Sequence, residues 1–119
     1  GIYVDPALVQ YAVRLVGATR NARRHGIEDV DMYLTFGASP RASIHLIEAA
    51  RALAFLRGRG YVLPQDVVDL AADVLRHRLV LSYEALAEGL DADQLITRLM
   101  RRVRPPEKPL ESHARPDEA

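Results

Sequence analysis

Residues 37–60 read GASPRASIHLIEAARALAFLRGRG, and the fold class turns on how this stretch divides. Ser39-Pro40 is a helix-opening pair: a residue able to cap, then a proline whose fixed φ and missing N–H are tolerated in a first turn. Leu46, Ala49, Ala50, Leu53 and Leu56 recur at helical spacing along one side, and Ile44, Ile47 and Ala54 cover another. Only a narrow strip stays polar, so this helix is expected to be the central, most buried one. Gly58-Arg59-Gly60 ends it.

Similar signals extend outward on both sides. Upstream, Asp5-Pro6 opens a first helix with an apolar stripe of Leu8, Val9, Ala12, Val13 and Val16, expected to run out near Arg24-His25-Gly26. Ile27–Met32 carries three acids and reads as a loop, and Tyr33–Phe36 is a short β-prone run closed by Gly37. Downstream, Pro64 opens a third helix with Asp66 and Asp69 near its positive end and Val67, Leu70, Ala71 and Val74 facing the core. Leu79–Tyr83 is a second extended run, and Glu84–Gly89 forms a turn or two of helix. Asp91-x-x-Gln94 is a capping box for a last helix whose core face is Leu95, Ile96, Leu99 and Val103. Arg98, Arg101 and Arg102 follow toward its end, where the helix dipole favours cations. The expected architecture is all-α, a small bundle of about four main helices over residues 1–104. A minor two-stranded patch, Tyr33–Phe36 beside Leu79–Tyr83, completes it. From Pro105 to the C-terminus the composition turns to Pro, Glu, Ser and Arg, which predicts a disordered, proline-rich tail over 105–119.

Composition narrows the function classes. The chain has 119 residues, too few for two ordinary cores, and no cysteine, which excludes thiol catalysis and cysteine-built metal centres. Sixteen basic and sixteen acidic side chains leave no net charge, which argues against a dedicated nucleic-acid or membrane-surface binder. No apolar run approaches the roughly 20 residues of a membrane span. Fifteen of the sixteen cations are arginine and the single lysine is Lys108, so no Gly-Lys pair exists. A phosphate-binding P-loop requires that pair, hence the chain by itself is not expected to be an ATPase. His45 with Glu48 supplies two ligand types without a third, and no metal site is expected. No nucleophile elbow or triad spacing is present among its serines and histidines.

One local conflict remains. Arg41 lies in the first turn of its helix, where unpaired N–H groups and the dipole favour anions, so a cation there is misplaced by about 0.3–1 kcal/mol. An anionic ligand would resolve the conflict, and a phosphate suits a helix N-terminus. On this reading Gly37 admits a close backbone approach, Ser39 caps, Pro40 fixes the first turn, and His45 continues the Arg41 face one turn on. The alternative is an arginine that simply reaches into solvent.

The stretches GASPRASIHLIEAARAL (37–53), GRGYVLPQDV (58–67) and LRHRLVLSYEALAEG (75–89) occur in order, and together the chain from about residue 3 to 103 resembles the C-terminal lid domain of MoxR-type AAA+ ATPases. The resemblance implies that Arg41 is the sensor-2 arginine, which contacts the γ-phosphate of ATP and couples lid position to nucleotide state. It implies ATP and Mg²⁺ bound by an ATPase core outside this chain, with none bound by the lid alone. It further implies a cytoplasmic, chaperone-like machine that acts in complex maturation. Its partners would be its own core, neighbouring subunits of a homo-oligomeric ring (hexameric in type), and clients or adaptors with von Willebrand A domains. Leu63 stands where the family often carries a capping Thr or Ser, and Leu86 where a glutamate is expected; neither touches Arg41. His77-Arg78 also matches a family motif, with subunit contact, strand anchoring or simple helix capping as its open readings. Two rival readings are a stand-alone helical protein-interaction module and a helix-turn-helix DNA binder. The mostly apolar second helix and zero net charge count against the DNA binder.

Overall fold

The computed structural model describes residues 1–106; of the tail expected over 105–119, residues 107–119 lie outside the described residues. The chain order is α1 (Pro6–Arg20), a 3-10 turn (Ala22–His25), α2 (Glu28–Asp31), β1 (Leu34–Phe36), α3 (Arg41–Leu56), α4 (Pro64–Leu75), a second 3-10 turn (Arg76–Arg78), β2 (Val80–Leu81), α5 (Tyr83–Ala87) and α6 (Ala92–Arg102). The expected ribbon forms: β1 and β2 pair antiparallel, with Leu34 opposite Leu81 and Phe36 opposite Val80. The caps read from sequence at Asp5 and Asp91 are made. Asp5 Oδ1 accepts from the Ala7 amide at 2.8 Å, and Asp91 and Gln94 exchange reciprocal bonds of 2.8 Å.

Four expectations need correction. The central helix is α1, not α3: Leu8, Tyr11, Ala12, Leu15 and Ala18 are fully buried, whereas Ile44, Phe55 and Leu56 of α3 are exposed. Ridges of α1 are covered from several sides by α3, α4 and α6, while α3 buries only Ala42, Leu46, Ala50 and Ala54 completely. The first helix ends at Arg20, with the 3-10 turn rather than helix reaching His25. Ile27–Met32 is not an open loop, because Ile27 and Val30 are fully buried and Glu28–Asp31 winds one helical turn between them. Arg98 and Arg102 of α6 hold this segment, donating to the Asp29 carbonyl at 2.8 Å and the Gly26 carbonyl at 3.2 Å. Lastly Tyr83, expected to end the second extended run, instead opens α5 and is 81% exposed.

The connection between α3 and α4 carries a buried charge that the sequence disguises as an ordinary helix-start acid. Gly58 turns the chain with φ +79°, a conformation few other residues adopt. Arg57 and Arg59 on either side of it then converge on Asp66, whose side chain is wholly buried. Arg59 contacts it at 2.6 and 2.8 Å and Arg57 at 2.9 Å. Leu63 has no side-chain acceptor, so the helix start is secured from the other direction: its amide donates to Asp66 Oδ2 at 2.7 Å. Burial alone would raise the Asp66 carboxyl. The Arg59 hydrogen bonds, the Leu63 amide and Arg57 outweigh burial and hold it below the ordinary 3.8.

A carboxylate whose folded pKa lies below its unfolded value stabilises the fold above that unfolded value and stops doing so as pH falls through the folded one. Stability of the domain is therefore expected to drop as pH goes below about 4, and Asp66→Asn is expected to flatten that dependence while costing about 2–3 kcal/mol near neutrality. That cost lies below the ~3–5 kcal/mol of a fully enclosed pair because Arg57 is partly solvated. Denaturant melts of both proteins from pH 3 to 7 measure both effects.

Candidate functional site

The approach to α3 is fixed by α1 before any ligand enters the account. A Cβ placed on Gly37 would run into the backbone carbonyl of Thr19, with the Arg20 nitrogen 2.6 Å away, so only glycine fits. The Thr19 hydroxyl, buried, donates to the Val16 carbonyl at 2.6 Å and accepts from the Ala38 amide at 2.9 Å. Gly37 thus serves chain-on-chain packing, a role the sequence did not suggest. Ser39 does not cap either: the residue before the helix is Pro40, in helical conformation at φ −56°, ψ −26°, and no side chain caps the first turn. The Ser39 and Pro40 carbonyls instead take the Ala42 and Ser43 amides, at 2.9 and 3.1 Å.

Arg41 therefore projects from a first turn held by these backbone bonds and by the Ser43 hydroxyl, which donates to the Pro40 carbonyl at 2.8 Å. It is exposed, and among the described residues neither its guanidinium nor its amide has a hydrogen-bond or ion-pair partner. No acidic residue lies in that turn to neutralise it. His45, one turn on, is also exposed, but its ring is engaged: Arg78 Nη2 lies 2.9 Å from Nδ1. Sequence reasoning missed this contact, since nothing local joins residues 33 positions apart.

Beside Pro40, α1 and α3 leave a cleft of about 170 Å³ lined by Val13, Val16, Gly17, Arg20, Pro40 and Ser43. Its walls are mainly apolar and Arg20 stands at its rim. Gly17, inside α1, gives the cleft depth; a Cβ there would meet only the His25 ring at 3.7 Å, an ordinary contact. The volume is below the roughly 300 Å³ at which complete small-molecule sites begin. An unpaired guanidinium with a free amide beside it, next to a small apolar cleft, can take a phosphate and a flat apolar group of one molecule. Among the described residues no three His, Asp or Glu side chains gather as metal ligands. No helix there is long and apolar enough to cross a membrane.

The expected consequence of the Gly37 packing is local and testable. Gly37→Ala should destabilise the domain by at least about 2 kcal/mol, since the obstacle is backbone and cannot rotate away. Ser39→Ala, which removes no cap, should change stability by less than about 0.5 kcal/mol. Thermal or urea melts separate the two.

Comparison with known proteins gives a consistent outcome. A family model described as AAA lid domain matches residues 27–99. Chaperone MoxR1 of Mycobacterium tuberculosis is 51% identical over 105 residues, covering 88% of this chain and 28% of that protein. Protein MoxR of Paracoccus denitrificans is 43% identical over 96 residues, covering 76% of this chain and 28% of its own length. A crystal structure from Cytophaga hutchinsonii, described provisionally as an ATPase, matches with a TM-score of 0.84 at 40% identity. That match covers 89% of this chain and 32% of the crystallised one. The chain thus spans between a quarter and a third of the length of each of these proteins.

Proposed function

This chain belongs to the AAA lid domain family, in its MoxR-type branch, and from that premise we propose that Arg41 is its sensor-2 arginine. The observation that carries the reading is the unpartnered Arg41 guanidinium and amide at the start of α3. A cation in that position is unfavourable until an anion arrives, and the γ-phosphate of ATP held by an ATPase core is such an anion. Pro40 presets the turn that aims Arg41, and the cleft by Val13, Gly17 and Ser43 receives the edge of the base. Arg20, at the rim, adds positive charge. The core binds the Mg²⁺ and supplies the hydrolytic chemistry; the lid's own contribution is to bind and to report.

A charge-assisted contact of the Arg41 kind contributes about 1.5–3 kcal/mol. Present with ATP and lost after hydrolysis, it shifts a two-state lid equilibrium by roughly 10- to 150-fold, which is enough to drive a change of lid position. In this proposal the full-length protein is a cytoplasmic AAA+ ATPase, assembled as a homo-oligomeric ring and acting in chaperone fashion on von Willebrand A-type partners. Exposed Ile44, Phe55 and Leu56 on α3 are available for contacts with its own core and with neighbouring subunits.

Arg41→Ala in the full-length ATPase is expected to lower ATP turnover tenfold or more, about 1.4 kcal/mol in the barrier, with its melting temperature unchanged. Full turnover in that folded variant would reduce Arg41 to a surface cation. The isolated lid, which holds only a fraction of the nucleotide's contacts, is expected not to bind ATP up to millimolar concentration in calorimetry.

A further inference from the structure

His77-Arg78 has no part in the sensing scheme as stated, yet the structure gives Arg78 two specific bonds. Its Nη1 donates to the Val74 carbonyl at 2.5 Å, in the last turn of α4, and its Nη2 to His45 Nδ1 at 2.9 Å. A guanidinium only donates, so His45 accepts at Nδ1 and carries its ring proton on Nε2. No carboxylate pairs with Arg78 among the described residues. Both side chains are exposed, and a polar contact in that setting adds little to global stability. Nor does the α3–α4 pairing depend on it, since Leu46, Ala50, Val67 and Ala71 are buried in one core cluster and Asp66 ties the far end. The contact has to be explained by what it holds in place.

Its topology supplies the explanation. β1 leads through residues 37–40 into α3, and α4 leads through the Arg76–Arg78 turn into β2, which pairs with β1. The Arg78–His45 bond closes these elements into a ring: β1, the Gly37–Pro40 link, the first turn of α3, His45, Arg78, β2. Arg41 lies inside that ring, four residues before His45. Upstream, its turn is held by the Thr19–Ala38 bond; downstream, by Arg78.

We propose that Arg78, acting through His45, is a positioning residue for Arg41, holding the first turn of α3 in the orientation from which Arg41 meets an anion. This rests on the sensor-2 reading of Arg41. In the nucleotide-free full-length protein, Arg78→Ala is expected to speed amide exchange over residues 42–46 while leaving residues 67–72 of α4 unchanged. In turnover assays Arg78→Ala and His45→Leu should each lose about five- to tenfold, whereas His45→Asn, whose side-chain oxygen can replace Nδ1 as acceptor, should retain roughly half of wild-type activity or more. The Arg41→Ala/Arg78→Ala double variant should be no slower than Arg41→Ala alone, the signature of two residues acting as one unit. Losses that multiply in the double variant would overturn the proposal, because Arg78 would then act independently of Arg41. Unchanged exchange and turnover in Arg78→Ala, with Arg41→Ala impaired, would also overturn it and leave the sensor reading standing. Full activity in Arg41→Ala would remove the sensor reading and this proposal with it.

Discussion

The chain entering α3 lies directly on the last turn of α1, backbone against backbone, and that approach governs the face of the domain that bears Arg41. Gly37 makes the contact sterically possible, and the Thr19 hydroxyl makes it specific by bonding Val16 on one side and Ala38 on the other. From there the geometry has little freedom. Pro40 starts the helix, Arg41 leaves its first turn, and the gap between the two helices becomes the cleft walled by Val13, Gly17 and Ser43. A side chain at 37 would push α3 away from α1, and the cleft and the direction of Arg41 would change together. The face that bears Arg41 is thus a product of main-chain packing.

Features that depend on near neighbours in sequence were legible from it. The Asp91–Gln94 box and the Asp5-Pro6 start each follow from a few adjacent residues, and each is found where those residues place it. The motif stretches that resemble MoxR-type lids were equally legible, and the family they imply is the family the chain belongs to. Degree of burial was not legible. Helical periodicity tells which sides of α1 and α3 are apolar, but how many neighbours cover those sides is a tertiary fact, and here α1 is surrounded while α3 is left half open. Ile27–Met32 misled for a related reason: three acids conceal two apolar residues, and the two are the ones that fold inward.

Within the candidate site the same division holds. Arg41 stood out because it breaks a local electrostatic rule, a signal carried by a single helical turn. Gly37 stood out as well, although for a reason the structure replaces. The cleft, the His45–Arg78 bond and the buried Asp66 with its two arginines all require residues distant in sequence or a left-handed turn at Gly58 to meet. In hindsight Arg57-Gly58-Arg59 before a proline-started helix with an acid at its third position was a usable hint, since two guanidiniums beside a tight reversal need a counter-ion.

The Asp66 cluster also sets how firmly α3 is anchored at its far end. The helix has 16 residues, about 24 Å of rigid rod, with Arg41 at one tip and, at the other, Arg57 and Arg59 closing on Asp66 of α4. The rod is thus tied at both ends, at Gly37 and Ala38 against α1 and at the α3–α4 reversal, so α3 is braced as one unit rather than hung from one end. Phe55 and Leu56, exposed beside the reversal, give that unit a contact surface at the end opposite Arg41.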